Sequence, residues 1–276
     1  MNKRYSKGTL LIQVIVTVIA LFYLIPFLIV FLYAFKSPQE LIGSSPFSLP
    51  KKLEWDNFLQ AFEALNFLKS FTNTSIITAS AVLLIILLSG MAAYSIVRGG
   101  NKFFNGTYMF FIAGILIPYQ VIFVPMFVLG SKLGFINNLF GIVFLYVGTS
   151  LPFAIFVMAG FMKTIPKEIE EAASIDGCSI MRTFWVIILP MLKPVAAALT
   201  IILSLQIWND YLLPQLFLSD NSMKTLTVMQ STLFSAFETN FNVGFAGIII
   251  SSLPILILFL FMQKHFVKGI TMGSGK

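Results

Sequence analysis

Long apolar runs alternate with short polar breaks along this chain, and the length of the runs identifies its solvent. Six of them, Leu10 to Phe35, Ile76 to Ile96, Tyr108 to Leu129, Leu139 to Met162, Val195 to Leu213 and Phe245 to Met262, carry almost no charge. A helix needs about 20 apolar residues to cross the hydrocarbon of a bilayer, where only helices and closed barrels satisfy every backbone polar group. The pattern therefore predicts an all-α polytopic membrane protein with six transmembrane helices, forming one membrane domain over residues 1–276 with no room for a separate soluble domain. Lys3, Arg4 and Lys7 before the first run resemble the start of a secretory signal. That run, however, continues to Phe35 without a small-residue cleavage site, so it is expected to stay as an anchor helix.

The polar breaks are unequal. Lys36 to Ser70 contains Pro38, Pro46 and Pro50, then a stretch in which Phe58, Phe62 and Leu65 recur at helical spacing behind Asp56. It predicts a surface helix capped by Asp56 and lying along the membrane. Pro214 to Asn242 is polar enough to project from the membrane. Between Lys163 and Pro190 lies a polar hairpin. Thr164 can cap a helix with Pro166 in its first turn, and Glu168, Glu170 and Glu171 suit the positive end of that helix. Asp176-Gly177 supplies a stop, and Ser179 can cap a second helix running through Trp185 until Pro190 and Pro194 perturb it. A short helix is thus presented rigidly, and Ala172 and Ala173 leave room for another protein.

Composition agrees with the pattern. Hydrophobic residues make up 58% and charged residues 11%, too apolar for an ordinary soluble domain. The single Cys178 excludes an internal disulfide and has no neighbours suggesting a metal or a nucleophile. Lys3, Arg4, Lys7, Arg98, Lys102, Lys163, Lys167, Arg182, Lys193, Lys264, Lys268 and Lys276 fall on one face if the runs alternate in direction. Lys36, Lys51, Lys52, Lys69, Lys132 and Lys224 fall on the other. The positive-inside rule then puts both termini and the hairpin in the cytoplasm. Topology thus accounts for the net charge of +7, and no basic stripe points to nucleic acid.

Glu171-Ala172-Ala173, Asp176-Gly177, Ile187-x-Leu189-Pro190 and Pro194 together match the EAA signature of the membrane subunits of ATP-binding cassette importers. The chain resembles that family along almost its whole length, most closely the carbohydrate branch and the second permease of maltose-type systems. Ala92-Ala93-Tyr94 ending at Arg98, Ile117-Pro118, Leu151-Pro152-Phe153, Trp208-Asn209-Asp210-Tyr211, Thr225-Leu226-Thr227-Val228 and the segment Gln263 to Thr271 carry the resemblance. Cys178 stands where the family usually has alanine or a similarly small residue, and Gly273-Ser274-Gly275-Lys276 where it more often has valine before the lysine.

The resemblance implies a type I importer permease fold whose EAA loop is a cytoplasmic coupling helix. Glu171, Ala172, Ala173, Asp176 and Gly177 would dock a separate ATPase subunit. It further implies a second permease, a dimer of ATPase subunits and an extracytoplasmic sugar-binding protein as partners, in a bacterial plasma membrane. On this view the chain is no enzyme and holds no cofactor, and ATP and magnesium belong to the partner ATPase. The tail Gly273-Ser274-Gly275-Lys276 imitates a phosphate loop, but Ile270 occupies the place of its first glycine and no Ser or Thr follows.

Polar groups on apolar helices are the candidates for a sugar path: Asn73, Ser75, Tyr119, Gln120, Gln206, Trp208, Asn209, Asp210 and Tyr211. Such groups equally serve helix packing. Ser219, Asp220, Asn221 and Asn240 are expected to meet the binding protein. Two other readings stay open. One is an importer of the same architecture for a non-sugar solute; the other is an autonomous ion-coupled carrier built around Asp210, because a carboxylate in a membrane span is a functional candidate by default.

Overall fold

The computed structural model describes residues 7–236 and 241–273. Lys3, Arg4, Asn240 and the tail from Ser274 to Lys276 lie outside the described residues. In chain order the helices are α1 (Lys7–Ala34), α2 (Pro38–Gly43), α3 (Asp56–Ala64), α4 (Phe67–Gly99), α5 (Lys102–Ile115), α6 (Phe123–Lys132) and α7 (Leu139–Met162). They continue as α8 (Glu168–Ile175), α9 (Ile180–Thr183), α10 (Leu189–Met191), α11 (Lys193–Trp208), α12 (Leu212–Phe217), α13 (Leu226–Ala236) and α14 (Phe241–Gly273). No strand occurs among the described residues.

Four helices are long and apolar enough to cross a membrane unbroken: Gly8–Ala34, Phe67–Gly99, Leu139–Met162 and Phe241–Phe261. Two bent pairs bring the number to six if each pair is one span. The stretch 108–129 is therefore not one straight helix. Lys102–Ile115 and Tyr119–Lys132 meet at 90°, because Pro118 has no N–H to donate and sits extended at ψ 122. A second bend, of 69°, separates Ile180–Met191 from Lys193–Trp208 just ahead of the fifth run, whose helix ends at Trp208 rather than at Leu213. Pro190 and Pro194 flank that bend, and Phe184–Ile188 ahead of it forms a π-helical turn in which Leu189 N–H reaches Phe184 O. Loosening a helix into a π turn is one way to accommodate an interrupted ladder.

The chain divides into two compact units. Met1–Phe67 with Met229–Leu253 has a small core of Ala34, Ala61, Val243 and Ala246, against which Phe58 and Phe245 pack. Asp56 does not cap α3 but occupies its first turn, and the capping position falls on Trp55 without a side-chain bond. Lys36 is fully buried. Its ammonium donates to Ser44 Oγ (3.2 Å), Ser45 O (3.0 Å) and Ser48 Oγ (3.0 Å) and lies over the Tyr33 ring. A buried ammonium must place its three protons, and three acceptors do so here.

Leu68–Val228 with Pro254–Lys276 holds the larger core, in which Ile77 and Ile85 of α4, Ile142 and Met158 of α7, and Leu199 and Leu203 of α11 are buried. Gly130 of α6 permits a close approach: a Cβ there would lie 2.5 Å from the Phe217 ring.

Candidate functional site

The helix of the polar hairpin begins three residues later than the capping signal suggests. Thr164 is not a helix cap; its hydroxyl donates back to Phe161 O at the end of α7, and α8 starts at Glu168 behind Lys167. Glu168, Glu170 and Glu171 occupy the first turn of α8, where the helix dipole favours them. The stop is a Schellman motif. Gly177 N–H bonds Ser174 O (3.1 Å) and Cys178 N–H bonds Ala173 O (2.9 Å), with Gly177 at φ +77. Only glycine takes that conformation without a Cβ penalty. Ser179 then caps α9 by accepting from Arg182 N–H (3.3 Å).

The hairpin is anchored on one side and open on the other. Ala173 is buried at 5% exposure, whereas Glu171, Ala172, Asp176 and Gly177 are exposed. Ile175 stands 87% exposed, Ile180 74% and Met181 59%. Three large apolar side chains around one tight turn form a tip that gains by being covered. Behind it, Arg98 at the end of α4 donates Nε–H to Glu170 Oε1 (2.6 Å) and Nη2–H to Ile165 O (2.8 Å). The two side chains are 13% and 15% exposed, so the pair is largely withdrawn from water.

A second site lies on α11. Leu205, Gln206, Asn209 and Leu213 share one side of the α11–α12 segment and, with Tyr119, Tyr146, Thr149 and Asp210, line a cavity of about 290 Å³. Asp210 lies in the break after α11. Its Oδ2 accepts from Tyr146 O–H (2.8 Å) and its Oδ1 from Leu212 N–H (3.1 Å). The carboxylate is thereby held still, with acceptor capacity to spare. No cation lines the cavity, so its polar surface suits hydroxyl donors. Tyr146 and Thr149 escaped the sequence reading. Their spacing of three on an otherwise apolar helix was the available signal, since a buried tyrosine hydroxyl needs a partner.

Other path candidates are elsewhere. Trp208 is 7% exposed and meets Phe71 edge-on. With Ser75, Thr78, Thr200 and Ser204 it lines a different, mostly apolar cavity of about 520 Å³. The spacing of Thr200, Ser204 and Trp208 by four residues puts them on a neighbouring face of the same helix. Asn73 is buried, and its amide donates to Ser222 O (3.0 Å) and Lys224 O (3.2 Å), so it staples a loop. Gln120 and Tyr211 are exposed and line neither cavity.

The loop after α12 is pinned rather than free. Asn137, at φ +51 between α6 and α7, accepts on its side-chain oxygen from Asp220 N–H (2.9 Å) and Ser219 O–H (3.2 Å), while its own N–H donates to Phe217 O. Leu226 N–H bonds Thr74 Oγ1 (2.9 Å) and Thr227 O–H bonds Trp208 O (2.8 Å). Ser219, Asp220 and Asn221 stay exposed at the tip. Bonding from the Ser222 N–H and hydroxyl holds the Asp220 carboxyl below its ordinary pKa. Among the described residues no cluster of His, Cys, Asp and Glu could hold a metal ion.

The profile of the family described as "Binding-protein-dependent transport system inner membrane component" matches residues 85–272. The probable starch degradation products transport system permease protein AmyC of Thermoanaerobacterium thermosulfurigenes is 38% identical over 259 residues, 94% of each chain. The melibiose/raffinose/stachyose import permease protein MelC of Bacillus subtilis (strain 168) is 32% identical over 277 residues, 100% of both. A chain of a bacterial ABC transporter involved in the import of the acidic polysaccharide alginate superposes with a TM-score of 0.83 at 22% identity, over 96% of this chain and 100% of that one, so the fold is shared.

Proposed function

The chain belongs to the family of binding-protein-dependent transport system inner membrane components, and from that premise we propose that it is one of two permeases in an ATP-driven importer of sugars or oligosaccharides. The multi-pass architecture is that of a membrane transport subunit. Both termini and α8 face the cytoplasm of a bacterial cell, as the distribution of basic residues favours. The partners are a second permease, a dimer of ATPase subunits that hold ATP and magnesium, and an extracytoplasmic sugar-binding protein.

The observation that carries this reading is the tip of α8. It is presented rigidly by a Schellman stop, exposes Ala172, Ile175, Ile180 and Met181, and is tied to a membrane helix through Arg98 and Glu170. Such a tip both docks and transmits. The ATPase covers it, and nucleotide-driven closure moves α8 with the inner ends of the spans. Alternating access then opens the path by relative movement of the two permeases. Tyr146, Gln206, Asn209 and Asp210 meet sugar hydroxyls on this chain's side of that path. Ser219 to Asn221 meet the binding protein, held out by Asn137 and Asn73.

The sugar class is supported by the names of the relatives together with a cavity that offers carboxylate, amide and phenol groups and no cation. Reconstituting the chain with its partners and screening sugars loaded on the binding protein tests it. A sugar that raises ATPase activity and enters the vesicle is the expected result. Stimulation by non-sugar solutes alone would move the assignment to another substrate.

A further inference from the structure

A cavity of about 290 Å³ opens where three membrane segments end, sharing no residue with the cavity around Asp210. Arg98 comes from the last turn of α4, Tyr108 and Asn105 from the start of α5, and Lys163 and Lys167 from the residues between α7 and α8. Ile96 and Val97 form its apolar side. Lys163 Nζ lies over the Tyr108 ring, 5.2 Å from its centre. No carboxylate lines the cavity. Of the three acids at the start of α8, only Glu170 engages one of its cations, through Arg98.

Three cations gathered at the ends of apolar spans, above two aliphatic side chains and beside an interfacial tyrosine, have a definite complement. It is a molecule carrying phosphate charge at the polar end and hydrocarbon at the other, lying at headgroup depth. Basic pockets between membrane helices on the cytoplasmic side take anionic headgroups in this way, and tyrosine settles at the same depth. We propose that this cavity is a headgroup site for an anionic phospholipid of the cytoplasmic leaflet, its phosphodiester held by Lys163, Lys167 and Arg98 and its glycerol edge by Asn105. The inference rests on the orientation given above. Because Arg98 is shared between the headgroup and Glu170, an occupied site also steadies the base of α8, which links lipid composition to the docking element.

The test uses the assembled complex in vesicles of equal parts phosphatidylglycerol and phosphatidylcholine, with bound lipids counted by native mass spectrometry after gentle release. Arg98 is left intact because it braces α8; the variant is Lys163→Gln with Lys167→Gln. At about a factor of five per basic residue, the double variant should lose roughly 30-fold in preference for phosphatidylglycerol over phosphatidylcholine. High salt should weaken the wild-type preference. Recovery of the partner ATPase at wild-type yield would show that the variant has folded. An unchanged lipid preference overturns the proposal, and loss of ATPase binding with lipid preference intact would assign these cations to a protein contact instead. A further arm separates lipid from soluble anion. If, in vesicles of phosphatidylcholine alone, inorganic phosphate protects Lys163 from acylation while phosphatidylglycerol shows no enrichment in the mixed vesicles, the site takes a free phosphate and the lipid assignment fails. None of these outcomes depends on whether the complex transports sugar, so failure here leaves the functional reading standing.

Discussion

Arg98 and Glu170 are 72 positions apart in sequence and 2.6 Å apart in space, so the end of a membrane helix and the first turn of the exposed α8 share one ion pair. Both side chains are largely buried, and removing one partner of a buried pair costs about 3–5 kcal/mol because the other charge is stranded. The residual exposure here puts the cost at the lower end of that range, about 3 kcal/mol. Glu170→Gln should therefore leave the complex assembled but reduce uptake per ATP hydrolysed, because α8 is no longer rigidly tied to α4. Paired measurement of uptake and hydrolysis checks this. An unchanged ratio would make the pair a static brace.

Gly177 at φ +77 can be tested through backbone alone. Gly177→Ala forces a Cβ into the left-handed region at about 1–2 kcal/mol, with no neighbouring atom within 4 Å to add a clash. Gly177→Pro is incompatible with that φ altogether. Co-purification of the ATPase should fall modestly for alanine and severely for proline, while membrane insertion of both variants stays normal. Equal, wild-type recovery for both would remove the turn from the docking element.

Tyr146 holds Asp210 at the wall of the α11 cavity, and a hydrogen bond to a charged group contributes about 1.5–3 kcal/mol. Tyr146→Phe frees the carboxylate while keeping the ring, so sugar uptake should fall several-fold with ATPase recovery unaffected. Asp210→Asn keeps the shape and an acceptor, and should be milder. Uptake kinetics on the two variants decide the order. If Asp210→Asn abolishes transport and Tyr146→Phe does nothing, the carboxylate acts by its charge rather than by its fixed position.

The loop at Ser219 to Asn221 should depend on its staples. Asn137→Ala removes the acceptor shared by Ser219 and Asp220, and alanine is also strained at φ +51. Stimulation of ATPase activity by the loaded binding protein is expected to drop by about tenfold, with basal activity nearly unchanged because α8 is untouched. Parallel loss of basal and stimulated activity would point to misfolding instead.

Much of this architecture was legible because apolar length is a strong signal: five of the six runs fall within helices or a bent helix pair to within a residue, whereas the fifth runs past the end of α11 into the break that holds Asp210. Gly177 and Ser179 were legible for the same kind of reason, since a left-handed stop and a hydroxyl cap are local chemistry. The bends were less so. Pro118, Pro190 and Pro194 were visible, but whether a proline kinks a span or breaks it depends on what packs beside it. Side-chain direction was least legible. Asp210 and Trp208 are two residues apart yet serve different cavities, Asn73 spends its amide on loop carbonyls, and Lys36, which the sequence places at the start of a polar loop, is fully buried on serine oxygens. Each of these depends on partners distant in sequence or on a turn that composition does not reveal.

Sugar should move through this chain only within a complex that spends ATP elsewhere. Uptake of labelled sugar into proteoliposomes tests it most directly, with ATP held constant on the ATPase side and the proton and sodium gradients collapsed. Uptake should require the second permease, the ATPase, the binding protein and hydrolysable ATP, and should survive loss of the gradients. Uptake by this chain alone, driven by an imposed pH gradient and abolished by Asp210→Asn, would contradict it and make the protein an ion-coupled carrier.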